Sequence, residues 1–564
     1  MIRASLMDVP SRRRTTLLPA AAGWIIGMLV AFHPVILSGF AAMQGDWADS
    51  RFNNYVLEHG YRWLVHSPGH ERFWSPPMFF PVPNTAAYSD VLLGVAPFYW
   101  PWRALGIPPD TSFQLWMLTV ATVNYLAAFA LFSRGFRCRP LAAAVGATLY
   151  SFASVRIEQL IHPQLVSQFY LAIAILALLR LFDSDPGVAS HDTTPLSDDR
   201  WIYVLAGACV GQLYSSYYNA WFLSFALLLA ALGAVLFADG RRRLSLVVRT
   251  HARAICVSVA GAAIAVAPLA IHYSRAAHQV GMRNFWTVEA MLPRIQSWAY
   301  LGPGSWLYGA FAAHPIFHFI PMEHEQRLGA GVATTLFAVL GLWSARHRRV
   351  VQFVTAVPLA MALIATQWPG GFTAWRAVYA IVPGAAALRA VSRIGMAIVL
   401  PIALGVALLI DQLTGGEPHA QRLPRAEERW AAVTKSLLAA IILVAVFLEQ
   451  GQQLPSYGKL AARARTTRVA NAVGPQCAAF LSTIIGGKED PWRYHVDAMW
   501  ASMQLGTPTI NGYSGNQPPG WKFYDIRIHP GDGTLIPTMA EVEEWAARWR
   551  LNPNTICMLR VPPG

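Results

Sequence analysis

Charged residues are scarce in this sequence. Asp, Glu, Lys and Arg together make up 13% of its 564 residues, whereas 55% are hydrophobic. Soluble globular proteins carry about 25% charged residues. The composition therefore excludes an ordinary soluble globule of this length and predicts a polytopic membrane protein.

Cysteine is also scarce, with five residues in the whole chain and no C-x-x-C spacing of the kind that binds zinc. Cys138, Cys209 and Cys256 lie in or beside apolar segments, whereas Cys477 and Cys557 lie in the more polar C-terminal part. Because these two are the only cysteines of that part, we predict that they form a disulfide bond. Such a bond requires an oxidising compartment.

Acidic residues are fewer than basic ones, which gives a net charge of +14. Such an excess suggests nucleic-acid binding at first. The arginines, however, fall in short clusters between apolar runs rather than along one face. This arrangement is typical of membrane topology signals, and we predict no nucleic-acid partner.

The sequence is rich in long apolar runs. A bilayer requires about 20 residues per helix, and about eleven runs approach that length: 15–37, 112–132, 140–156, 165–182, 201–218, 220–238, 254–272, 328–345, 350–367, 391–413 and 435–450. The first run is longer than the core of a cleaved signal peptide and lacks a small-residue cleavage site, so we interpret it as an uncleaved span. Residues 1–450 are predicted to form an all-α transmembrane bundle.

The arginine clusters predict the orientation of the bundle. With the N-terminus in the cytoplasm, all five clusters fall on the cytoplasmic side: Arg12, Arg13 and Arg14; Arg134, Arg137 and Arg139; Arg241, Arg242, Arg243, Arg249 and Arg253; Arg346, Arg348 and Arg349; Arg422, Arg425 and Arg429. The acidic segment DSDPGVASHDTTPLSDD falls there too, but acids weigh little in this rule. We therefore expect a multi-pass membrane protein with a cytoplasmic N-terminus and a long first loop, 38–111, on the outer side of the membrane.

The C-terminal part, 451–564, is predicted to be a small periplasmic α/β domain. TMAEVEEWAARWRL has a capping box of Thr538 and Glu541, followed by apolar residues at helical spacing. TICMLRV is typical of a strand.

Acidic residues just after the first span are the first catalytic candidates. Asp46 and Asp49 in GDWAD lie where the chain leaves the membrane, at the level of lipid headgroups. A carboxylate there can take a proton from an acceptor hydroxyl or amine; alternatively, the two acids merely end the helix. Glu58, His59 and Asp90 belong to the same long aromatic loop and are candidates for shaping the site, because long loops in compact proteins are usually functional.

Two further groups of polar residues are predicted near the same face of the membrane. The segment SVRIEQLIHPQL carries Glu158 and His162 at the outer end of the third predicted span. Ionisable groups at membrane depth are functional candidates, unless they extend to the surface. A later segment, AWRAVYAIVPGAAALRAVSR, carries three arginines, whose forked guanidinium groups suit phosphate oxygens.

These arginines are Arg376, Arg389 and Arg393. If the segment is helical, the four-residue spacing of Arg389 and Arg393 turns both toward one anionic group. The alternative is binding of lipid headgroups without catalysis.

The layout and several motifs resemble the GT-C superfamily of integral-membrane glycosyltransferases, and in particular the YfhO-related bacterial membrane proteins. The likeness is carried by GDWAD at 45–49, FWSPPMFFPVPNTAAYSD at 73–90, HPQL at 162–165 and NGYSG at 511–515. The resemblance implies that a first-loop aspartate acts as base or orients the acceptor. It also implies a sugar donor linked to polyprenyl phosphate or diphosphate and an acceptor that is a cell-envelope glycan, lipid or protein.

By position, either Asp46 or Asp49 takes the role of base, and the motif does not choose between them. The sequence departs from the D-E and D-x-D forms of the superfamily. Carboxylates three residues apart on a helix share a face, so the pair can bind Mg²⁺ or Mn²⁺, or one acid can orient the partner of the other.

The sequence is therefore compatible with three classes of function. These are an inverting lipid-phosphate-sugar glycosyltransferase, a transporter or flippase of lipid-linked glycans, and an assembly factor that binds through its C-terminal domain. Inverted repeats would favour the transporter. We find none in the sequence, and the glycosyltransferase is the preferred prediction.

Overall fold

The computed structural model describes residues 9–182, 198–415, 425–528 and 538–562. Its helices up to residue 250 are α1 (Val9–Leu37), α2 (Asp49–Leu64), α3 (Trp100–Ala104), α4 (Pro109–Ala130), α5 (Pro140–Phe152), α6 (Ser154–Glu158), α7 (Phe169–Phe182), α8 (Arg200–Ser215), α9 (Tyr217–Leu236) and α10 (Ala238–Thr250).

The later helices are α11 (Ala252–Val280), α12 (Phe285–Glu289), α13 (Val332–Ser344), α14 (Arg349–Ala365), α15 (Trp375–Ile381), α16 (Val399–Thr414), α17 (Arg425–Glu449), α18 (Lys459–Ala472), α19 (Pro491–Leu505) and α20 (Met539–Arg548). The strands are β1 (Ala42–Gln44), β2 (Ser456–Gly458), β3 (Ala479–Ile485), β4 (Arg527–Ile528) and β5 (Ile556–Val561).

All eleven predicted apolar runs are helical. Within the described chain, seven helical segments are long and apolar enough to cross a membrane: Leu17–Leu37, Pro109–Gly135, Pro140–Ile161, Pro163–Phe182, Tyr217–Leu236, Ala252–Val280 and Val391–Thr414. The other four runs correspond to α8, α13, α14 and α17, and the first three of these have only 16, 13 and 17 residues. The prediction of an all-α membrane bundle is confirmed.

Small residues allow the helices at the centre of the bundle to approach closely. A Cβ atom added to Gly341 on α13 would lie 1.8 Å from the carbonyl oxygen of Gly405 on α16, and one added to Gly405 would lie 2.2 Å from the carbonyl of Ala338. Membrane helices gain most of their association energy from such close backbone packing. This contact fixes α16, which follows the segment that carries Arg393.

Charged residues of different loops contact one another at one end of the bundle. Asp411 accepts a hydrogen bond from the backbone N–H of Arg139 at 2.9 Å, and Arg349 pairs with Asp239 at 2.7 Å. The first contact joins the loop before α5 to the end of α16, and the second joins the start of α10 to the start of α14. Arg422 and most of the acidic segment after Phe182 lie outside the described residues.

The C-terminal part is a small α/β unit, as predicted. Strands β4, β3 and β5 form a parallel sheet in that order, and both bonds of the Thr538–Glu541 capping box are present at the start of α20. Cys477 and Cys557 form a disulfide bond beside the β3–β5 pair.

The core of this unit also takes in residues from the first loop. Phe52, Tyr55, Met78 and Phe79 pack in one buried cluster with Phe480 and other side chains of the C-terminal part. Strand β2 pairs with β1, which lies just after the first span. The first loop and the C-terminal part therefore fold together at the end of the bundle that carries Asp46.

Helix α2 is the element that joins the two parts. Arg51 on α2 forms a buried ion pair with Asp497 on α19, and the indole of Trp500 donates a hydrogen bond to the carbonyl of Arg51 at 3.1 Å. Because α2 begins at Asp49, this docking fixes the position of the predicted catalytic loop.

Candidate active site

Asp46 and Asp49 lie between β1 and the first turn of α2. The Asp46 Oδ1 atom accepts a hydrogen bond from the backbone N–H of Ser50 at 3.0 Å, so Asp46 satisfies one of the free N–H groups at the start of the helix. The simpler interpretation of this acid, a helix terminator, is thus part of its role. It does not describe Asp49, whose carboxylate has side-chain partners.

Both oxygen atoms of Asp49 are bound by side chains from distant parts of the chain. The Oδ2 atom lies 2.6 Å from Nδ1 of His162, and Oδ1 accepts a hydrogen bond from the hydroxyl of Tyr513. One partner comes from the turn after α5 and α6, and the other from the C-terminal α/β unit. His162, which the sequence predicts near the same face of the membrane, thus contacts Asp49 directly.

A chain of alternating charges continues behind His162. Its Nε2 atom lies 3.2 Å from Oε1 of Glu325, and Glu325 in turn forms two bonds with Arg393, at 2.6 and 3.1 Å. Glu325 and Arg393 are only 2% and 6% exposed. Paired charges of this kind are retained in a buried site only when each has a partner.

The surroundings of the two aspartates separate their pKa values. Burial and the negative charge of Asp49 raise the pKa of Asp46 to about 6. Burial also opposes ionisation of Asp49, but the hydrogen bond and charge of His162 and the bond from Tyr513 hold its pKa below the usual value. At neutral pH, Asp49 is a fixed anion and Asp46 titrates close to the working range.

His162 lies between the carboxylates of Asp49 and Glu325. Burial and the charge of Arg393 lower its pKa, whereas Glu325 and the bond to Asp49 raise it, and the net shift is upward. Glu325 has a pKa well below its usual value, because Arg393 and His162 outweigh its burial. The carboxylates of Asp49 and Glu325 thus favour the protonated form of His162.

The loop NGYSG at 511–515 holds Tyr513 against Asp49. Asn511 anchors the loop to β3: its side chain accepts a hydrogen bond from the N–H of Ser482 at 2.7 Å and donates one to the carbonyl of the same residue at 3.0 Å. Gly512 lies on the ring of Phe79, where a Cβ atom would come within 2.3 Å. The C-terminal unit therefore contributes a side chain to the site itself.

Two arginines lie on the open side of this group. Arg389 is exposed, its backbone N–H donates to the hydroxyl of Tyr218 at 3.0 Å, and its charge is one of the influences on the pKa of Tyr513. Arg283 donates to the carbonyl of Gly515 at 2.8 Å. Burial lowers the pKa of Arg283, and the nearby charge of Arg389 contributes to that shift.

Arg389 and Arg393 do not share a helical face, so that expectation is wrong. The residues from Leu388 to Ala390 are extended or irregular, and a 3₁₀-helix begins only at Val391. Arg393 turns inward to Glu325, whereas Arg389 faces solvent. Arg376 lies apart, with its guanidinium carbon 4.7 Å from the ring centroid of Phe285.

Two of the loop residues predicted to shape the site have partners elsewhere. Glu58 is fully buried and pairs with Arg62 at 3.0 Å and with Arg103 at 2.7 Å. The His59 Nδ1 atom lies 2.8 Å from Nδ1 of His70. Neither side chain contacts Asp49 among the described bonds, because both follow it on α2 by more than two turns.

Asp90 and Glu158 lie closer to the charged chain. Asp90 accepts a hydrogen bond from the backbone N–H of Tyr217 at 2.6 Å, at the start of α9. Burial raises its pKa to about 6. Glu158 pairs with Arg327 at 2.7 Å, two residues beyond Glu325. Both residues support elements that carry site residues.

The donor set for a divalent ion is small. Across the described ranges, no group of three or more His, Cys, Asp or Glu side chains is placed to hold a metal. Asp46 and Asp49 are the available carboxylates, and both oxygens of Asp49 already have partners. The described side chains do not by themselves complete a binding site for Mg²⁺ or Mn²⁺.

Three residues of this site were not among the sequence candidates: Tyr513, Glu325 and Arg283. Tyr513 lies within NGYSG, a motif that carries the superfamily likeness, and that was its one signal. Glu325 and Arg283 lie in loops that no motif distinguishes.

No protein-family model matches the sequence, and no curated protein matches it significantly. Several solved structures, however, match the fold of this chain. The oligosaccharyltransferase AglB from Archaeoglobus fulgidus, in complex with an inhibitory peptide and a dolichol-phosphate, superposes with a TM-score of 0.53 at 12% identity. The match covers 96% of this chain and 69% of AglB. The chain has a GT-C-like fold.

Two other solved structures extend the comparison. ArnT from Cupriavidus metallidurans bound to undecaprenyl phosphate has a TM-score of 0.44 at 11% identity, over 96% of this chain and 89% of ArnT. The arabinofuranosyltransferase AftD from Mycobacteria has a TM-score of 0.46 at 15% identity, over 84% of this chain. The GT-C-like chain spans 29% of the length of AftD.

Proposed function

We propose that this protein is an integral-membrane glycosyltransferase. It moves a sugar from a polyprenyl-phosphate- or diphosphate-linked donor to a glycan, lipid or protein acceptor of the cell envelope. The observation that carries the proposal is the Asp46–Asp49–Tyr513 group in a GT-C-like fold, with the exposed Arg389 and the half-buried Arg283 beside it. Within the superfamily, we propose a relation to the YfhO-related proteins, which the motifs GDWAD and NGYSG support.

In this proposal, Asp46 is the base and Asp49 is held in place for it. A base must have an ionised oxygen available to the acceptor and a pKa near the working pH. Asp46 has the raised pKa of about 6 and no bonded side chain among the described residues, whereas both oxygens of Asp49 are occupied. The fixed charges of Asp49 and His162 then orient the acceptor and favour proton transfer to Asp46.

The reaction is a single displacement at the anomeric carbon. The acceptor oxygen or nitrogen forms a bond to that carbon as the bond to the lipid phosphate oxygen breaks, and the acceptor proton passes to Asp46. Attack opposite the leaving group inverts the configuration. The lipid phosphate leaves as an anion, and Arg389 and Arg283 are placed to receive its charge through guanidinium hydrogen bonds.

The acceptor and the donor are proposed to meet outside the cytoplasm. The Cys477–Cys557 disulfide is typical of an oxidising compartment, and a cytoplasmic position of the arginine clusters follows the positive-inside rule. We therefore assign the site and the C-terminal unit to the periplasmic side of the bacterial inner membrane.

The test is sugar transfer by the purified protein in lipid nanodiscs, with a panel of radiolabelled polyprenyl-linked sugars and an envelope extract. Asp46→Asn should lower transfer by about 10²–10⁴-fold, the usual effect of removing a general base. Asp49→Asn should also lower it, through loss of the group that positions the acceptor. Glu543→Gln, at an exposed carboxylate of α20, is the matched control and should transfer normally.

Near-normal transfer by both aspartate variants would remove the pair from the mechanism. Movement of intact lipid-linked sugar across the bilayer, with no transfer by the unmodified protein, would replace the proposal with a flippase.

A further inference from the structure

A small cavity with a mixed polar and apolar lining lies inside the bundle, behind the segment that carries Glu158 and His162. Its volume is about 20 Å³, and it is bounded by α1, α4, α5 and the turns that follow α6. The polar side chains that line it are those of Asn124, Ser151, Arg156, Gln159 and Gln168. None of them touches Asp46 or Asp49 among the described bonds, so the cavity is distinct from the proposed active site.

Arg156 is the one charged residue that lines this cavity. It is only 6% exposed, and its Nε and Nη1 atoms have no hydrogen-bond partner among the described residues. Its guanidinium carbon lies 4.0 Å from the ring centroid of Tyr150. The ion pairs of the described chain include no carboxylate bound to Arg156, and an aromatic face compensates a buried cation only in part.

Other polar groups that line the cavity also lack hydrogen-bond partners among the described residues. The hydroxyl of Ser151 is buried and has no partner among the described residues, which leaves a third donor beside the two guanidinium nitrogens. The Oε1 atoms of Gln159 and Gln168 also lack a partner there. These oxygens are acceptors that require a donor, so they do not themselves favour an anion. A water molecule would satisfy these hydrogen bonds, but it would leave the positive charge of Arg156 uncompensated.

We propose that this cavity binds a small monovalent anion of halide size, which in the cell is chloride. An occupied volume of ~10–15 Å³ corresponds to one water-sized sphere, so the cavity holds one such ion. Phosphate and sulfate, with five heavy atoms, exceed it. One negative charge matches the one guanidinium of the lining, and Arg156 and Ser151 supply donors that have no partner among the described residues.

The anion would also stabilise the approach to the active site. Arg156 belongs to α6, and His162 follows six residues later in the same compact turn. An ion that fixes the Arg156 guanidinium therefore holds the backbone that presents His162 to Asp49. Halide binding is expected to raise the thermal stability of the protein, and the binding itself does not depend on the glycosyltransferase proposal.

The experiment compares anions on the protein in nanodiscs, at constant pH and ionic strength, after exchange into gluconate. Sodium chloride or bromide should raise the melting temperature by about 2 °C or more at concentrations far above Kd, whereas sulfate should not reproduce the effect. Arg156→Met should abolish the halide response. Arg275→Met, at an exposed arginine of α11, should retain it.

Crystals grown with bromide give the direct measurement. An anomalous peak within hydrogen-bond distance of the Arg156 guanidinium supports the proposal, and it decides the matter even if Arg156→Met fails to fold. Equal melting temperatures in chloride, bromide and gluconate would overturn the proposal. So would an unchanged halide response in a folded Arg156→Met variant, or a bromide map without that peak, which would leave water as the occupant.

Discussion

Asp46 and Asp49 differ by their neighbours rather than by their chemistry. Asp46 meets backbone N–H groups and the charge of a second acid, whereas Asp49 is bound by His162 and Tyr513. Two carboxylates in one site whose pKa values are pushed apart are a recurrent arrangement for acid–base work. The pair should therefore be visible in the pH dependence of transfer.

We expect transfer to fall as the pH drops through about 6, because Asp46 acts only when ionised and its pKa is raised to about 6. Below that value, the rate should fall tenfold per pH unit. In Asp49→Asn, the residual rate should show a lower midpoint, because the charge of Asp49 helps to raise the pKa of Asp46. The measurement is a pH profile of single-turnover transfer. A wild-type midpoint near 4 would show that Asp46 is not the base.

The two arginines of the late loop should respond differently to substitution. Arg389→Gln should weaken binding of a polyprenyl-phosphate analogue by about 10- to 100-fold, since a hydrogen bond to a charged group contributes ~1.5–3 kcal/mol. The stability of Arg389→Gln should be unchanged, because Arg389 is exposed.

Arg393→Gln should instead reduce the free energy of unfolding by ~3–5 kcal/mol, because it leaves Glu325 buried without its partner. Isothermal titration and denaturant unfolding separate these effects; equal donor affinity in Arg389→Gln and wild type would exclude Arg389 from the donor site.

At the scale of elements, the β3–β5 pair determines where the NGYSG loop lies. Asn511 bonds to β3, and the disulfide links Cys477, just before β3, to Cys557 on β5. Contacts with a short sheet, rather than with the membrane bundle, therefore fix the position of the loop that carries Tyr513.

Removing the disulfide should loosen this support. Cys477→Ser is expected to lower the free energy of unfolding of the C-terminal unit by about 2–5 kcal/mol, the usual effect for a native bond in a small domain. Pulse proteolysis in denaturant measures the change. Cys209→Ser, at a free cysteine in the bundle, is the matched control. Identical proteolysis curves for both variants would show that the bond contributes nothing.

At the scale of the whole molecule, the C-terminal unit is completed by the first loop. Phe52, Tyr55 and Phe79 fill its core, and Arg51 pairs with Asp497. An isolated 451–564 fragment would expose the apolar surface that these side chains cover.

We therefore expect 451–564 alone to unfold without a cooperative transition, whereas the same segment joined by a flexible linker to 45–90 should unfold cooperatively. Buried apolar side chains contribute ~1.5–3 kcal/mol each, so three missing core residues exceed the margin of a small domain. Calorimetry on the two proteins is the measurement. A cooperative transition of equal midpoint in the isolated segment would show that the first loop is not needed.

Much of the architecture could be predicted from the sequence. The apolar runs located eleven of the helices, because a helix in lipid must satisfy its own backbone and so needs a continuous apolar stretch. Seven helical segments of the described chain are long and apolar enough to cross a membrane. The capping box at Thr538 and the strand at 556–561 were likewise local signals. The arrangement of Arg389 and Arg393 could not be predicted, because their spacing implies a shared face only in a regular helix.

The sequence by itself determined the membrane bundle, the acidic motif after its first span and the cysteine pair of the C-terminal part, because composition, run length and spacing are local properties. Only the tertiary structure decided which groups surround Asp49. His162, Tyr513 and, through His162, Glu325 reach it from three segments that are more than a hundred residues apart from Asp49 in the chain. Their meeting depends on packing between the first loop, the bundle and the C-terminal unit, and that packing separates the pKa values of two aspartates that look equivalent in the sequence.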